Sequence, residues 1–381
     1  MRKPHLFAPG PTPVPPEVLL AMAGPVPHHR APEYEALMAE VRQDLKYLFQ
    51  TKEEVLLFAA SGTGGMEAAV VNTLSPGDQV VVIRGGKFGE RWGEICEAYG
   101  ITFTPIDVLY GRAVDPSLIA AALEKDPKVT AVFSTHSETS TGVLHDIHTL
   151  AQIVRETPAI LVVDAITSLG VVDLPMDLWG VDVVIAGSQK GLMLPPGLAA
   201  VGVSQKAWAA FERSRLPKYY FDFAAERKSL RKNQSRFTPA ISLVVGLRET
   251  LRMIRTEGLP NVVRRHEQLA GAMRAGVTAL GLELFAERPS PAVTAIKVPQ
   301  GIEGGAIVKT LRTKHGVTIA AGQGSLKGKI FRIATLGYAA PSDVVVALSA
   351  LEFTLSELGY PLKMGEGIRA AQEVLQWQPE G

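Results

Sequence analysis

The 381 residues are 46% hydrophobic and 20% charged, a balance that supplies a core and excludes an intrinsically disordered chain. Lys and Arg number 39 against 38 Asp and Glu, a net charge of +1, which recruits neither nucleic acid nor an anionic membrane surface. The single cysteine, Cys96, excludes an internal disulfide, a thiolate zinc site and a chain-supplied iron–sulfur cluster.

The start, Met1-Arg2-Lys3-Pro4-His5, leads into Pro9, Pro11, Pro13, Pro15 and Pro16 rather than an apolar signal region. No apolar run is long enough to cross a bilayer, and Gln378-Pro379-Glu380-Gly381 is no recognised address, so the expectation is a cytoplasmic protein. The proline-rich segment has no period and reads as extended chain lying on another surface, with a dimer partner as one candidate. Residues 32–49 place Leu37, Val41, Leu45 and Leu48 at helical spacing. Residues 55–58 read as a buried strand that runs into Ser61-Gly62-Thr63-Gly64-Gly65 and then a run of helix formers. Backbone amides converging on such a helix start bind phosphate, although a tight turn without a ligand is the plainer reading, and Glu67 breaks the dinucleotide glycine pattern.

Strands are expected at 79–83, 102–106 and 129–134, with helices at 91–99 and 116–124. Between the first strand and helix lies Gly85-Gly86-Lys87-Phe88-Gly89, whose aromatic either covers a flat ligand or anchors its own loop. His136-Ser137-Glu138-Thr139-Ser140-Thr141-Gly142 is a polar loop at a strand's carboxyl end, where open α/β sheets place ligands. After a helix at 147–156, Leu161-Val162-Val163 ends on Asp164, and residues 181–186 lead to Gly187-Ser188-Gln189-Lys190 and Pro195-Pro196-Gly197. The alternation of strand and helix predicts an α/β fold with a mainly parallel sheet. Alone, Asp164 reads as a helix cap and Lys190 as a solvated charge. Together, at the ends of two separate strands, they deliver a carboxylate and a partly desolvated amine whose lowered pKa suits Schiff-base formation.

Residues 211–236 are irregular and basic, ending at Phe237-Thr238-Pro239. A helix at 242–255 closes a large domain, which gives an extended segment at 1–22, a large domain at 23–258 and a small α+β domain at 259–381. The small domain is expected to hold helices at 261–280, 305–314 and 342–358 and strands at 292–298, 317–320 and 330–335. Arg332 lies between Phe331 and Ile333 in an apolar strand, and a guanidinium so placed calls for a carboxylate partner. The glycine-rich stretch 322–329 fails as a P-loop because its spacing is wrong and a strand follows it. The pairs His28 with His29 and His145 with His148 have no third ligand nearby, so no metal site is read.

These motifs, in this order and spacing from Pro9-Gly10-Pro11 to Gly337, resemble the class V branch of fold-type I pyridoxal-phosphate enzymes, and within it the serine–pyruvate/alanine–glyoxylate aminotransferases. The resemblance implies a seven-stranded, mainly parallel sheet in the large domain and a homodimer with shared active sites. It implies that Lys190 forms the Schiff base with pyridoxal 5'-phosphate and that Asp164 pairs with the ring nitrogen. Thr63, Gly64, Gly65 and Gln189 would contact the phosphate, Phe88 would stack on the ring, and Thr139 would reach its phenolic edge. Thr238 would cross a dimer interface to the partner's phosphate, and Arg332 would clamp the substrate's α-carboxylate. Relatives often carry Tyr where this chain has Ser235, three residues before Thr238, which weakens or alters the intersubunit contact.

The implied activity is ping-pong transamination, through pyridoxamine phosphate, of a small neutral amino acid (alanine or serine) with glyoxylate or pyruvate. A lyase or an aminophosphonate transaminase would keep the same cofactor set and differ near Arg332. A cysteine desulfurase needs a nucleophilic cysteine on a mobile loop, whereas Cys96 sits in a helical run. A non-enzymatic subunit role would predict no reaction with amino acids.

Overall fold

The protein is described by a computed structural model covering residues 3–376; of the chain ends read above, Met1, Arg2 and the stretch 378–381 lie outside the described residues. Seven strands make the central sheet: β1 (Val55–Phe58), β2 (Gln79–Arg84), β3 (Thr102–Asp107), β4 (Val129–Thr135), β5 (Ile160–Asp164), β6 (Val183–Gly187) and β7 (Ala199–Val203). Their order across it is β1-β7-β6-β5-β4-β2-β3. Every neighbouring pair is parallel except those that β7 makes with β1 and β6. Where a helix links consecutive strands the chain returns to start a parallel one. Between β6 and β7 there is only the Lys190 loop, so β7 comes back antiparallel. The expected seven-stranded, mainly parallel sheet is present.

The strands β5, β6 and β7 are buried at every position, which is why they read as unbroken apolar runs. Helix α1 (Pro16–Met22) and helix α2 (Pro32–Phe49) pack on the long helix Ile241–Glu257. Helix α3 (Gly62–Thr73) lies over β6 and β7, while helix α4 (Lys87–Ala98) lies over β2, β3 and β4. One hydrophobic core draws on residues from Val18 to Val262, and a second joins Phe7 to residues from Leu269 to Ala371. A three-stranded antiparallel sheet, β8 (Val293–Lys297), β9 (Ala320–Ala321) and β10 (Ile330–Ala334) in the order β8-β10-β9, sits beside the second core. No helix of the described residues is long and apolar enough to cross a membrane.

Several elements differ from their sequence expectation. The N-terminal segment is not extended throughout, because Pro16 starts α1 and Val18 buries into the large core; seven residues give no visible period. Its first stretch, His5–Leu6, pairs in parallel with Val317–Thr318. The single strand expected at 317–320 is therefore two short ones, serving different sheets. Within the basic run, Asp222 caps a helix at Phe223–Leu230 by accepting from the Ala225 N–H at 2.9 Å. Helix α4 begins at Lys87 rather than 91, so Phe88 belongs to its first turn.

The helix Glu366–Gln376 was not anticipated. Its start is held by buried Glu352 of the helix Pro341–Glu357, whose carboxylate accepts from the N–H groups of Gly365, Gly367 and Ile368 at 2.6, 3.0 and 3.2 Å. These are the orphan donors that every helix start presents. Glu352→Ala should cost about 1–3 kcal/mol in a urea titration, since it leaves buried donors unmet, and should raise amide exchange in Glu366–Gln376 ahead of the central sheet; equal protection in both proteins would refute this.

Candidate active site

The carboxyl ends of β1, β2, β4, β5 and β6 converge on one edge of the sheet, the place where open α/β sheets bind ligands. Asp164 closes β5 and is buried. One of its carboxylate oxygens accepts from the Ile166 N–H at 2.9 Å, so the capping role of a strand-end Asp is real. Burial raises its pKa from 3.8 to about 7, against the Ile166 hydrogen bond and the positive charges of Arg91 and Lys190, while Glu138 pushes it further up. Lys190 is buried in the loop that follows β6, and burial lowers its pKa from 10.5 to about 8 despite Asp164, with Arg332 adding to the fall.

The Lys190 loop is fixed from several sides. Ser188 donates its hydroxyl to the Pro195 carbonyl at 2.7 Å and accepts from the Leu198 N–H at 3.1 Å, which ties the two ends of the loop together. Thr12 donates its hydroxyl to the Lys190 carbonyl at 3.1 Å. The ammonium of Lys190 donates to the Pro9 carbonyl. Gly10 lies so close that a Cβ there would fall 2.3 Å from the lysine Nζ, and its φ of +138° independently demands glycine.

Phe88 is half-buried in the first turn of α4. Glu138, fully buried, accepts from the N–H groups of Phe88 at 3.1 Å and Gly89 at 2.9 Å, and from the N–H and hydroxyl of Ser140 at 3.0 and 2.5 Å. A carboxylate at a helix start suits the helix dipole, although burial raises its pKa overall. A Cβ on Gly86 would stand 2.4 Å from this carboxylate, which explains a glycine there. Arg91 lays its guanidinium 4.8 Å from the Phe88 ring centroid and donates to the Thr63 hydroxyl at 3.2 Å.

Thr139 shares a hydroxyl hydrogen bond of 2.7 Å with Thr167, and its carbonyl accepts from Arg332 at 2.8 Å. Arg332 is buried in β10, where its register partners are Ala295 and Ala320. Small residues on both flanks leave room for the guanidinium. No carboxylate of the described residues is its hydrogen-bond partner: Nε and Nη2 each donate one N–H to the Ala321 carbonyl, at 3.2 and 2.7 Å, and Glu138 acts on it only through space. Burial lowers its pKa to about 10.

The glycines of the Ser61 turn are needed for packing as well. A Cβ on Gly65 would lie 2.7 Å from Ile185 of β6, and one on Gly64 would lie 2.8 Å from Ala60. Gln189 leaves its buried side-chain oxygen without a partner. Thr238 is exposed beside Phe237 on the rim of a small depression lined by Leu57, Phe58 and Leu198, apart from Asp164 and Lys190. Ser235 pairs its hydroxyl with Tyr34 at 3.3 Å. Sequence reasoning gave no role to Glu138, Arg91, Thr167 or the Pro9 carbonyl. Only Glu138 carried a signal, since a carboxylate inside an otherwise neutral strand-end loop needs donors.

A sequence model of the family described as aminotransferase class-V matches residues 5–339. The chain is 46% identical to the small subunit of a soluble hydrogenase from Synechococcus sp. (strain PCC 6716), over 98% of each chain. It is 40% identical to the serine–glyoxylate aminotransferase of Hyphomicrobium methylovorum, over 97% of this chain and 94% of that one. The solved ureidoglycine–glyoxylate aminotransferase of Bacillus subtilis superposes with a TM-score of 0.94 at 30% identity, covering 99% of both chains. A match over most of the length, on this sheet and with this buried lysine, means that the chain belongs to the class-V aminotransferase family of pyridoxal phosphate-dependent enzymes.

Proposed function

We propose that the chain transfers the amino group of a small neutral amino acid, alanine or serine, to glyoxylate or pyruvate. The observation that carries this reading is Arg332, a buried guanidinium bonded only to carbonyls and close enough to Lys190 to lower its pKa. A carboxylate of the substrate would complete it with charge-assisted, bidentate hydrogen bonds.

The residues present fit pyridoxal phosphate. Asp164 offers a carboxylate to the ring nitrogen, and Lys190 an amine that is substantially neutral near pH 8. Gln189 and Ser168 offer buried polar atoms that lack a partner within the chain. When bound, the cofactor supplies an electron sink for the carbanion at the substrate's Cα. Asp164 would hold the proton on the ring nitrogen. Phe88 would stack on the ring and Thr139 would hydrogen-bond its phenolic edge. Thr63, Gly64 and Gly65, at the start of α3, would join Gln189 on the phosphate. Lys190 would take the proton from Cα and return it on the cofactor side.

A small neutral side chain is favoured because the cations of the flanking elements are committed, Lys87 to Glu90 and Arg91 to Phe88 and Thr63. Cys96 is fully buried and its thiol is pushed up to about 12 by burial, which does not suit the nucleophile of a desulfurase. Lyase and aminophosphonate reactions keep the same residues and are separated by the substrate screen below. We further propose a cytoplasmic homodimer in which exposed Thr238 meets the partner's phosphate. The Synechococcus relative favours a second reading, a subunit of a soluble hydrogenase. With one cysteine this chain would serve there without carrying a thiolate-bound cluster of its own.

Mixing holo-protein with single amino acids should bleach the visible cofactor band with alanine or serine, and glyoxylate should restore it; no bleaching by any amino acid would leave the subunit reading. Lys190→Ala should abolish turnover. Arg332→Ala should lower kcat/KM for the amino acid about 100-fold or more, through loss of a buried charge-assisted contact. The rate at which the apoprotein takes up pyridoxal phosphate should rise with pH through about 8, where Lys190 loses its proton, and not near its ordinary 10.5; stopped-flow absorbance decides between the two.

A further inference from the structure

Three features outside the roles assigned above stand out: an apolar cavity of about 830 Å³ beside Tyr47, Leu178 and Leu259, the buried carboxylate of Glu138, and Arg91. Arg91 connects the Phe88 ring to the Thr63 hydroxyl across two helices. We propose that Arg91 is the positioning residue of the cofactor cradle: it fixes the Phe88 ring and the Thr63 hydroxyl relative to one another and is the permanent cation beside Asp164. This rests on the cofactor reading above.

The geometry is specific. Arg91 and Phe88 are three residues apart on α4 and so share one helix face. The guanidinium lies 4.8 Å from the ring centroid, within cation–π range. Its Nη1 donates to Thr63 in the first turn of α3. Helix α3 rests on β6 and β7 and α4 on β2, β3 and β4, so Arg91 spans the gap between the two helix starts. Strand β5 lies in that gap and ends at Asp164. One side chain thereby sets the spacing between a stacking aromatic and a phosphate-turn hydroxyl, beside the strand end that carries Asp164.

The charges show why a cation is needed. Asp164 lies within the electrostatic reach of Glu138, Arg91 and Lys190. Glu138 opposes its ionisation. Lys190 would change its charge state when its amine engages an aldehyde, and Arg332 would pair with the substrate's carboxylate. The guanidinium of Arg91 has neither fate, so within the chain it is the cation that supports ionised Asp164 throughout, beside the protonated ring nitrogen that Asp164 would meet.

The test compares apoproteins of the natural chain, Arg91→Gln, Arg91→Lys and Lys190→Ala, each titrated with pyridoxal phosphate by equilibrium dialysis across a pH series. Arg91→Gln should weaken binding about tenfold, the scale of a lost cation–π contact with its hydrogen bond. Asp164, with its supporting cation gone, should then protonate at higher pH, so the acid limb along which affinity falls should move upward. Arg91→Lys keeps the charge but not the planar fork, so it should lose affinity while keeping the natural acid limb, a separation that a merely structural role would not produce. Arg91→Gln binding like the natural chain, with an unmoved acid limb, overturns the proposal; an upward shift in Arg91→Lys as large as in Arg91→Gln overturns the charge role as well. If the natural chain takes up no pyridoxal phosphate, or Lys190→Ala binds it with the same visible band, the cofactor reading itself fails and this role goes with it.

Discussion

A carboxylate and an amine buried at the ends of two adjacent parallel strands form the constraint on which the rest of this structure depends. Asp164 ends β5, and Lys190 follows β6 by three residues. In water the two would be fully charged at neutral pH; here burial brings their pKa values to about 7 and about 8. Holding them this way is costly, because an ionised group away from water keeps its charge only beside compensating charges and donors. The site provides those from outside the pair, through the Ile166 N–H and Arg91 for the carboxylate and the Pro9 carbonyl for the amine. The arrangement is poised for a ligand that is cationic where it meets Asp164 and electrophilic where it meets Lys190.

The same logic of incomplete pairing extends to Arg332. Its three hydrogen bonds fix the orientation of the guanidinium without cancelling its charge, because carbonyl oxygens carry only partial charge. Two of the three come from β9 and one from the Thr139 loop of the large sheet, so the side chain bridges the two sheets. The N-terminal segment makes a second bridge. It pairs with Val317–Thr318, passes its Phe7 carbonyl to the Ala334 N–H at 2.8 Å, and then reaches the Lys190 loop through Thr12. Arg332 and the N-terminal segment therefore both tie the two sheets together beside Lys190.

Much of this was legible in the sequence because it is local. Unbroken apolar runs announced the buried strands, and the Asp164 and Lys190 motifs stand where those strands end. What stayed hidden depends on distant partners. Helix Glu366–Gln376 needs Glu352, more than a dozen residues away, to satisfy its start. Residues 317–321 form one apolar stretch but divide because His5–Leu6 claims one half and β10 the other. Arg332 was recognised as anomalous from its apolar neighbours alone, but its partners within the chain, the Ala321 and Thr139 carbonyls, were not, since strand register and not composition decides which acceptors a guanidinium meets. For Thr238 the deciding surface would belong to a second chain.

Glu138 shows how one residue can answer several of these demands together. Its four hydrogen bonds join the start of α4 to the Thr139 loop, so Phe88 and Thr139 cannot shift independently. Its negative charge supports Arg332 across the site while opposing the ionisation of Asp164. The two effects have opposite sign for the proposed chemistry. The first supports the charge of Arg332 in its buried strand; the second is opposed by the positive charges of Arg91 and Lys190. Placing a carboxylate to organise the loop and the helix start thus sets a negative charge near Asp164, and Arg91, from the next turn of the helix that Glu138 holds, opposes it.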